Sequence, residues 1–145
     1  MAANTVLNYD PKKIQLIVGG YIIGGFADDE FLEVERDVDA YTKYVGVGGE
    51  TTRIKTTNRS GKLTIKLMQS SPSNDELSLL TELDEFGDAG AVPLLARDGN
   101  GSTLFTSVFC WVKRFPKVMW RREVQVYEWV LDTSSLSIFV GGIST

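Results

Sequence analysis

Three carboxylates at alternate positions, Glu33, Glu35 and Asp37, are the first residues of this sequence whose spacing fits chemistry. On an extended strand they share one face, and two carboxylates held apart can divide general-acid and general-base work. Nothing else in the sequence supports catalysis. There is no histidine, which removes the commonest general base and the commonest transition-metal ligand together. The single cysteine, Cys110, sits in Val108-Phe109-Cys110-Trp111-Val112, the setting of a buried, inert thiol with no partner in the chain. The expectation is no enzyme, no catalytic residue, no metal and no cofactor.

The glycine motifs lead the same way. Asp98-Gly99-Asn100-Gly101-Ser102 begins like a calcium loop, but the glycine position of such a loop is Thr103 and its bidentate carboxylate position is Phe109. It reads as a hairpin turn. Gly46-Val47-Gly48-Gly49 lacks the third glycine of a dinucleotide fingerprint, and Gly61-Lys62 is followed by Leu63 with no glycine five residues earlier, so neither cradles phosphate. The basic and aromatic run Trp111, Lys113, Arg114, Phe115, Lys117, Trp120, Arg121, Arg122 could track phosphates and stack bases. The preferred reading is a sheet hairpin with core aromatics and basic edges.

The elements that must position these residues are mostly strands, because short runs of Val, Ile, Thr, Tyr and Phe recur between turn clusters. Ile14, Leu16 and Val18 alternate up to a Gly19-Gly20 turn into Tyr21-Ile22-Ile23. The run Phe31 to Asp39 sets Leu32, Val34 and Val38 against Glu33, Glu35 and Asp37. Leu63, Ile65 and Leu67 alternate with Lys62, Thr64 and Lys66, and Asn58-Arg59-Ser60-Gly61 is expected to turn this strand onto the run Thr51 to Thr57. One helix is expected over Asp75 to Phe86, with Leu77, Leu79, Leu80, Leu83 and Phe86 as its apolar stripe, a Ser73/Glu76 capping box and a stop at Gly87. Its remaining face is acidic, and Asp84 and Glu85 sit at the end that the helix dipole disfavours. Later strands are expected over 92–97, 103–115, 122–131 and 136–140.

With 145 residues and 43% hydrophobic residues, the chain is expected to be one domain, residues 1–145, with a core large enough to need no disulfide or metal. The apolar stretch from Ile14 to Ala27 is broken by Gly19, Gly20, Gly24 and Gly25 and is too short for a membrane span. Asp28, Asp29 and Glu30 follow it where a signal cleavage site would stand, so it reads as mature fold without a membrane anchor. Net charge is −4, against the basic footprint of a tight nucleic-acid binder. Charge runs in blocks of −5 over 1–50, +5 over 51–71, −6 over 72–101 and +2 over 102–145. Such alternation suits a solvated surface, or a subunit whose positive patch meets a negative patch on its neighbour.

The ordered pieces match a known family. Tyr9-Asp10-Pro11-Lys12-Lys13, Gly24-Gly25-Phe26-Ala27-Asp28, Tyr44-Val45-Gly46-Val47-Gly48-Gly49-Glu50, Arg53, Asn58-Arg59-Ser60-Gly61, Leu67-Met68-Gln69-Ser70-Ser71-Pro72-Ser73-Asn74, Leu77-Ser78, Arg122-Glu123 and Glu128-Trp129 together resemble the tail tube protein of contractile-tailed bacteriophages. The resemblance runs nearly end to end, and the Gln-Ser-Ser-Pro-Ser-Asn lead-in to the helix is its most specific part. It departs at Asp28-Asp29, where relatives would carry Asp-Gly.

The resemblance implies a mainly β fold, a two-sheet β-barrel or sandwich with one flanking helix, similar to the type VI secretion tube protein. It implies a virion structural protein assembled in the host cytoplasm into hexameric rings. The rings stack into an inner tail tube for DNA ejection. Implied partners are other copies of the chain, the sheath protein, baseplate and terminator proteins, and the tape-measure protein and DNA inside the bore. An extended loop or hairpin at about 41–61 is expected to reach the adjacent ring through Tyr41, Tyr44, Gly46, Gly48, Gly49, Arg53, Lys55 and Arg59. Glu33, Glu35 and Asp37 are the leading choice for the lumen, with the Lys62, Thr64, Lys66 face and the polar side of 103–107 as alternatives. Asp75, Glu76, Glu82 and Glu85 on the helix are expected to face the sheath. A baseplate hub or tail terminator on the same barrel, and a nucleic-acid-binding module, are the rival functions.

Overall fold

A computed structural model describes residues 6–143 of the chain. A short 3-10 turn at Pro11–Lys13 leads into β1 (Ile14–Val18) and β2 (Tyr21–Ile23), followed by β3 (Leu32–Arg36), β4 (Tyr41–Val45), β5 (Thr51–Lys55) and β6 (Gly61–Met68). The helix α1 (Ser73–Gly87) separates these from β7 (Val92–Asp98), β8 (Leu104–Arg114), β9 (Val126–Thr133) and β10 (Ser137–Phe139). The fold is mainly β with one helix, as expected.

Eight strands form one antiparallel sheet in the order β2-β1-β7-β8-β9-β6-β3, with β10 added to β8, and β4-β5 form a separate two-stranded sheet. The main sheet is not a closed barrel; it folds over itself as a sandwich. β8 belongs to both halves: it pairs with β10 through Leu104–Thr106 and with β9 through Cys110–Arg114. Register shifts between Val92 and Leu94 and between Val112 and Arg114 mark where the ladder bends. Leu16, Val18, Leu94 and Ala96 of one half thus share a single core with Leu63, Ile65, Leu67, Trp129 and Leu131 of the other.

Alternation made the strongest elements readable. Leu63, Ile65 and Leu67 are fully buried, and Gly19 and Gly20, both at positive φ, make the β1–β2 turn. Three expectations fail. β6 does not form a hairpin with the 51–57 run: it pairs with β3 (Leu32↔Ile65 to Arg36↔Gly61) and β9, while β5 pairs with β4. The Thr-rich run has no buried face to set its register, so the glycine turn at 46–49 claims it. β3 ends at Arg36, leaving Val38 exposed rather than in the core. The chain between Arg114 and Val126 is irregular, so the strand expected from 122 begins four residues later.

The helix is longer than expected, and its capping box does not form. Pro72 occupies the N-cap with no side-chain cap bond. Ser73 Oγ instead accepts from Gly24 N at 2.9 Å, and Ser71 Oγ donates to Gly24 O at 2.5 Å, clasping the helix start to the end of β2. Leu77 and Leu80 enter the core, and Trp129 Nε1 donates to Asn74 Oδ1 at 2.9 Å. Leu79, Leu83 and Phe86, read as part of the packing stripe, are exposed.

Gly61, buried where β3, β6 and β9 meet, leaves no room for a side chain. A Cβ there would stand 2.7 Å from Glu35 O and 2.6 Å from the Leu136 side chain. Gly61→Ala should therefore lower stability by about 1–3 kcal/mol with native spectra retained; an unchanged melting temperature would contradict this packing.

Candidate assembly surfaces

β3 and β6 are neighbours in the sheet, yet 24 residues separate Arg36 from Gly61. This excursion is the arm carrying β4 and β5. Asp37 N donates to Ser60 O at 3.1 Å and Ser60 Oγ to Asp37 Oδ2 at 2.8 Å, which closes its base. Every residue of β4 and β5 is exposed. The register Tyr41↔Lys55 and Lys43↔Arg53 places those four side chains on one face, with the Arg53 guanidinium 4.1 Å from the Tyr41 ring centroid. Thr42, Tyr44, Thr52 and Ile54 occupy the other. One face is basic and one is neutral. Gly46 N donates to Glu50 O and Gly49 N to Gly46 O, forming the tip. Tyr41, Tyr44, Gly46, Gly48, Gly49, Arg53 and Lys55 thus lie together on the arm, while Arg59 stands on the return segment near its base.

The acidic and basic strand faces, weighed as alternatives from sequence, are one surface. Glu35 lies opposite Lys62 and Glu33 opposite Thr64, while β9 adds Asp132 opposite Lys62 and Glu128 opposite Lys66. Lys62 Nζ is 3.3 Å from Glu35 Oε1 and Lys66 Nζ is 4.0 Å from Glu30 Oε2. These exposed pairs add little stability, but carboxylates outnumber ammonium groups on this face. Asp37 is not on the strand; it belongs to the base of the arm. The polar side of 103–107 is spent internally, since Thr103 Oγ1 bonds to Gly141 and buried Ser107 Oγ donates to Phe109 O.

On the helix, Asp75, Glu82 and Glu85 point outward. Glu76 does not: it is half-buried, and its Oε2 is covered without a hydrogen-bond partner. Leu79, Leu83 and Phe86 run beside the outward acids, so this face is apolar as well as acidic. No basic residue stands in the last turn to offset the acids there.

The basic and aromatic run is not a hairpin of core aromatics. Trp111 is half-buried, Phe115 leans on Trp129 with ring centroids 5.9 Å apart, and Trp120 is 83% exposed in the irregular segment. Sequence reasoning also missed an apolar hollow of about 350 Å³ lined in part by Ile14, Leu32, Val34 and Phe105. Its walls come from separate strands, so no linear pattern announces it. Cys110 is fully buried, and burial pushes its thiol up to about 12, so it stays neutral near pH 7 and is no nucleophile. The Asp98–Gly101 turn works structurally: Asn100 accepts from Asp10 N and donates to Asp10 O, both at 2.9 Å.

The chain belongs to the Bacteriophage PhiTE tail tube protein family, whose pattern matches residues 18–141. It is 27% identical over 148 residues to "Structural protein ORF10" of Pseudomonas phage KPP10, covering 97% of this chain and 86% of that one. Its fold is similar to the sheath/tube terminator of an extracellular contractile injection system, PVC, in the extended state (TM-score 0.65, 14% identity, 96% and 100% covered). It is likewise similar to a chain of the PVC sheath-tube complex (0.62, 13%, 91% and 91%) and to the tube-terminating cap of the anti-feeding prophage (0.64, 10%, 96% and 95%).

Proposed function

We propose that this chain is the subunit of the inner tail tube: six copies close into a ring, and rings stack into a hollow conduit for DNA inside a contractile sheath. The observation that carries the reading is the arm. A lone two-stranded hairpin is marginal in water, and this one exposes both faces along its length. It is built to be covered by a neighbour, and the family match makes another copy the natural neighbour. An arm that meets a different patch on the next copy makes a heterologous contact, which builds an open polymer when its rotation does not close. The lateral contact closes because its rotation completes a circle. Terminator and baseplate proteins would then meet the tube ends.

The solved relatives include a terminator and a cap with the same fold, so a terminator role is the second reading. Tube length separates the two. Purified protein viewed by negative-stain microscopy should show hollow tubes many rings long; isolated rings alone would favour the terminator. Deleting Val45 to Gly49 should leave folded monomers or rings without tubes, and normal tubes in that variant would sink the inter-ring role of the arm.

The bore is assigned to the face carrying Glu33 and Glu35, with Asp37 at its edge. DNA and the tape-measure protein slide past this wall, and cations aimed at phosphate would add an attraction repeated in every ring. Lys62 and Lys66 sit among carboxylates that screen them. Changing Glu33, Glu35 and Asp37 together to lysine should permit tubes yet slow DNA ejection from assembled particles, whereas wild-type ejection kinetics would refute the assignment. The outer wall is assigned to Asp75, Glu82 and Glu85 of the helix, facing basic segments of the sheath. Charge reversal at Glu82 and Glu85 should weaken sheath decoration and spare tubes; undiminished decoration at physiological salt would count against it.

A further inference from the structure

The irregular segment between β8 and β9 has no task in the tube reading so far. It is held at its two ends: Phe115 packs on Trp129, and Gln125 N donates to Gln69 Oε1 at 3.0 Å while Gln69 N donates to Gln125 O at 2.9 Å. Between these anchors it presents Trp120, 83% exposed, among exposed Lys117, Arg121 and Arg122. An indole surrounded by cations on a surface loop is an unpartnered contact residue, because Trp and Arg dominate interface energetics when they fill a pocket.

A complementary surface lies on the same chain. The 350 Å³ hollow has apolar walls of Leu32, Val34, Ala96 and Phe105, and its charged lining is net acidic, with Asp29, Glu30, Glu33 and Asp98 against the one cation Arg97. An indole is a good fit for a concave apolar site of this size. The two surfaces are far apart along the strand that links them. Phe105 of the hollow and Phe115 at the loop root lie at opposite ends of β8, roughly 30 Å along an extended strand.

We propose that Trp120 of one copy seats in the hollow of the next, with Arg121 and Arg122 facing Asp29 and Glu30. Knob and hole are different patches of the same subunit, so the contact is heterologous and can repeat from copy to copy. The opposite charges guide the approach and disfavour loop-to-loop or hollow-to-hollow pairing. The Leu79-Leu83-Phe86 stripe is a poorer seat. Its own hollow, also about 350 Å³, carries a single carboxylate, Glu82, and the C-terminal turn of its helix already borders the root of the loop within one chain, where Glu85 and Asp88 share a cleft with Arg114 and Phe115.

This contact rests on the self-assembly proposed above, and the test separates the two. Cys110 is buried, so introduced cysteines report alone. Asp29→Cys and Arg121→Cys proteins, oxidised or treated with a short bis-maleimide, should give a covalent dimer when mixed and assembled, and none when each is treated alone. Rings or tubes without that dimer would overturn this contact and leave the tube reading standing. A dimer from particles that never form rings would do the reverse. Trp120→Ala, with its melting temperature unchanged, should raise the subunit concentration needed for assembly by about 30-fold, the ratio equivalent to about 2 kcal/mol. Unchanged assembly with salt-sensitive DNA retention lost would assign the loop to nucleic acid and overturn the proposal.

Discussion

The structure depends on one strand being paired on both sides while sealing its whole inner face. β6 carries Leu63, Ile65 and Leu67 fully buried, hydrogen-bonds β9 along eight register pairs and takes β3 on its other edge. A slip of one residue would turn Glu33 and Glu35 of β3, or Glu128 and Asp132 of β9, toward the core and their apolar neighbours to water. That cost pins the register of both neighbours. The charged surface facing away from the core, with Glu33 and Glu35 beside Lys62, is the reverse side of the same alternation, so the core and this charged face cannot be chosen separately.

A second constraint closes the sandwich. β2 lies at the far end of the sheet order from β3, and the segment after it must return to β6. It does so through backbone bonds, Met68 N to Gly25 O and Ala27 N to Lys66 O, and through the Ser71–Gly24–Ser73 clasp. Ser73 therefore leaves the helix cap it would otherwise make. A local preference worth about 1 kcal/mol gives way to a long-range bond that also sets where the helix begins. The helix then fills the side of the core with Leu77 and Leu80 and meets Trp129 through Asn74.

This contrast explains what could be read from the residues alone. Periodicity and turn chemistry are local, and they located β1, β2, β6, β7 and the helix closely. The direction of Leu79, Leu83 and Phe86 is not local: five apolar residues in 77–86 cover more of the helix than one packing face can bury, and only the sheet decides which are excluded. The Thr-rich β5 was misassigned because neither face is buried, so its partner is chosen by the glycine turn before it rather than by the asparagine turn after it. The basic and aromatic run was read as a sheet hairpin because Trp and Phe favour strands; its part up to Arg114 is the end of β8, whereas Pro116 and the absence of a buried face leave the rest irregular. Of the expected contact residues, those on the arm are adjacent in sequence and so were visible as a group. The hollow, assembled from several strands, was not.

The closed base of the arm has an evolutionary consequence. Because Asp37 and Ser60 are tied together and β3 pairs directly with β6, the domain meets residues 38–59 as a closed loop. The entropic cost of such a loop rises only with the logarithm of its length, roughly 0.6 kcal/mol for each doubling. Residues can be added to or removed from the tip in pairs, keeping the β4–β5 register, without disturbing the sandwich. The reach of the arm is therefore an adjustable length on a fixed body.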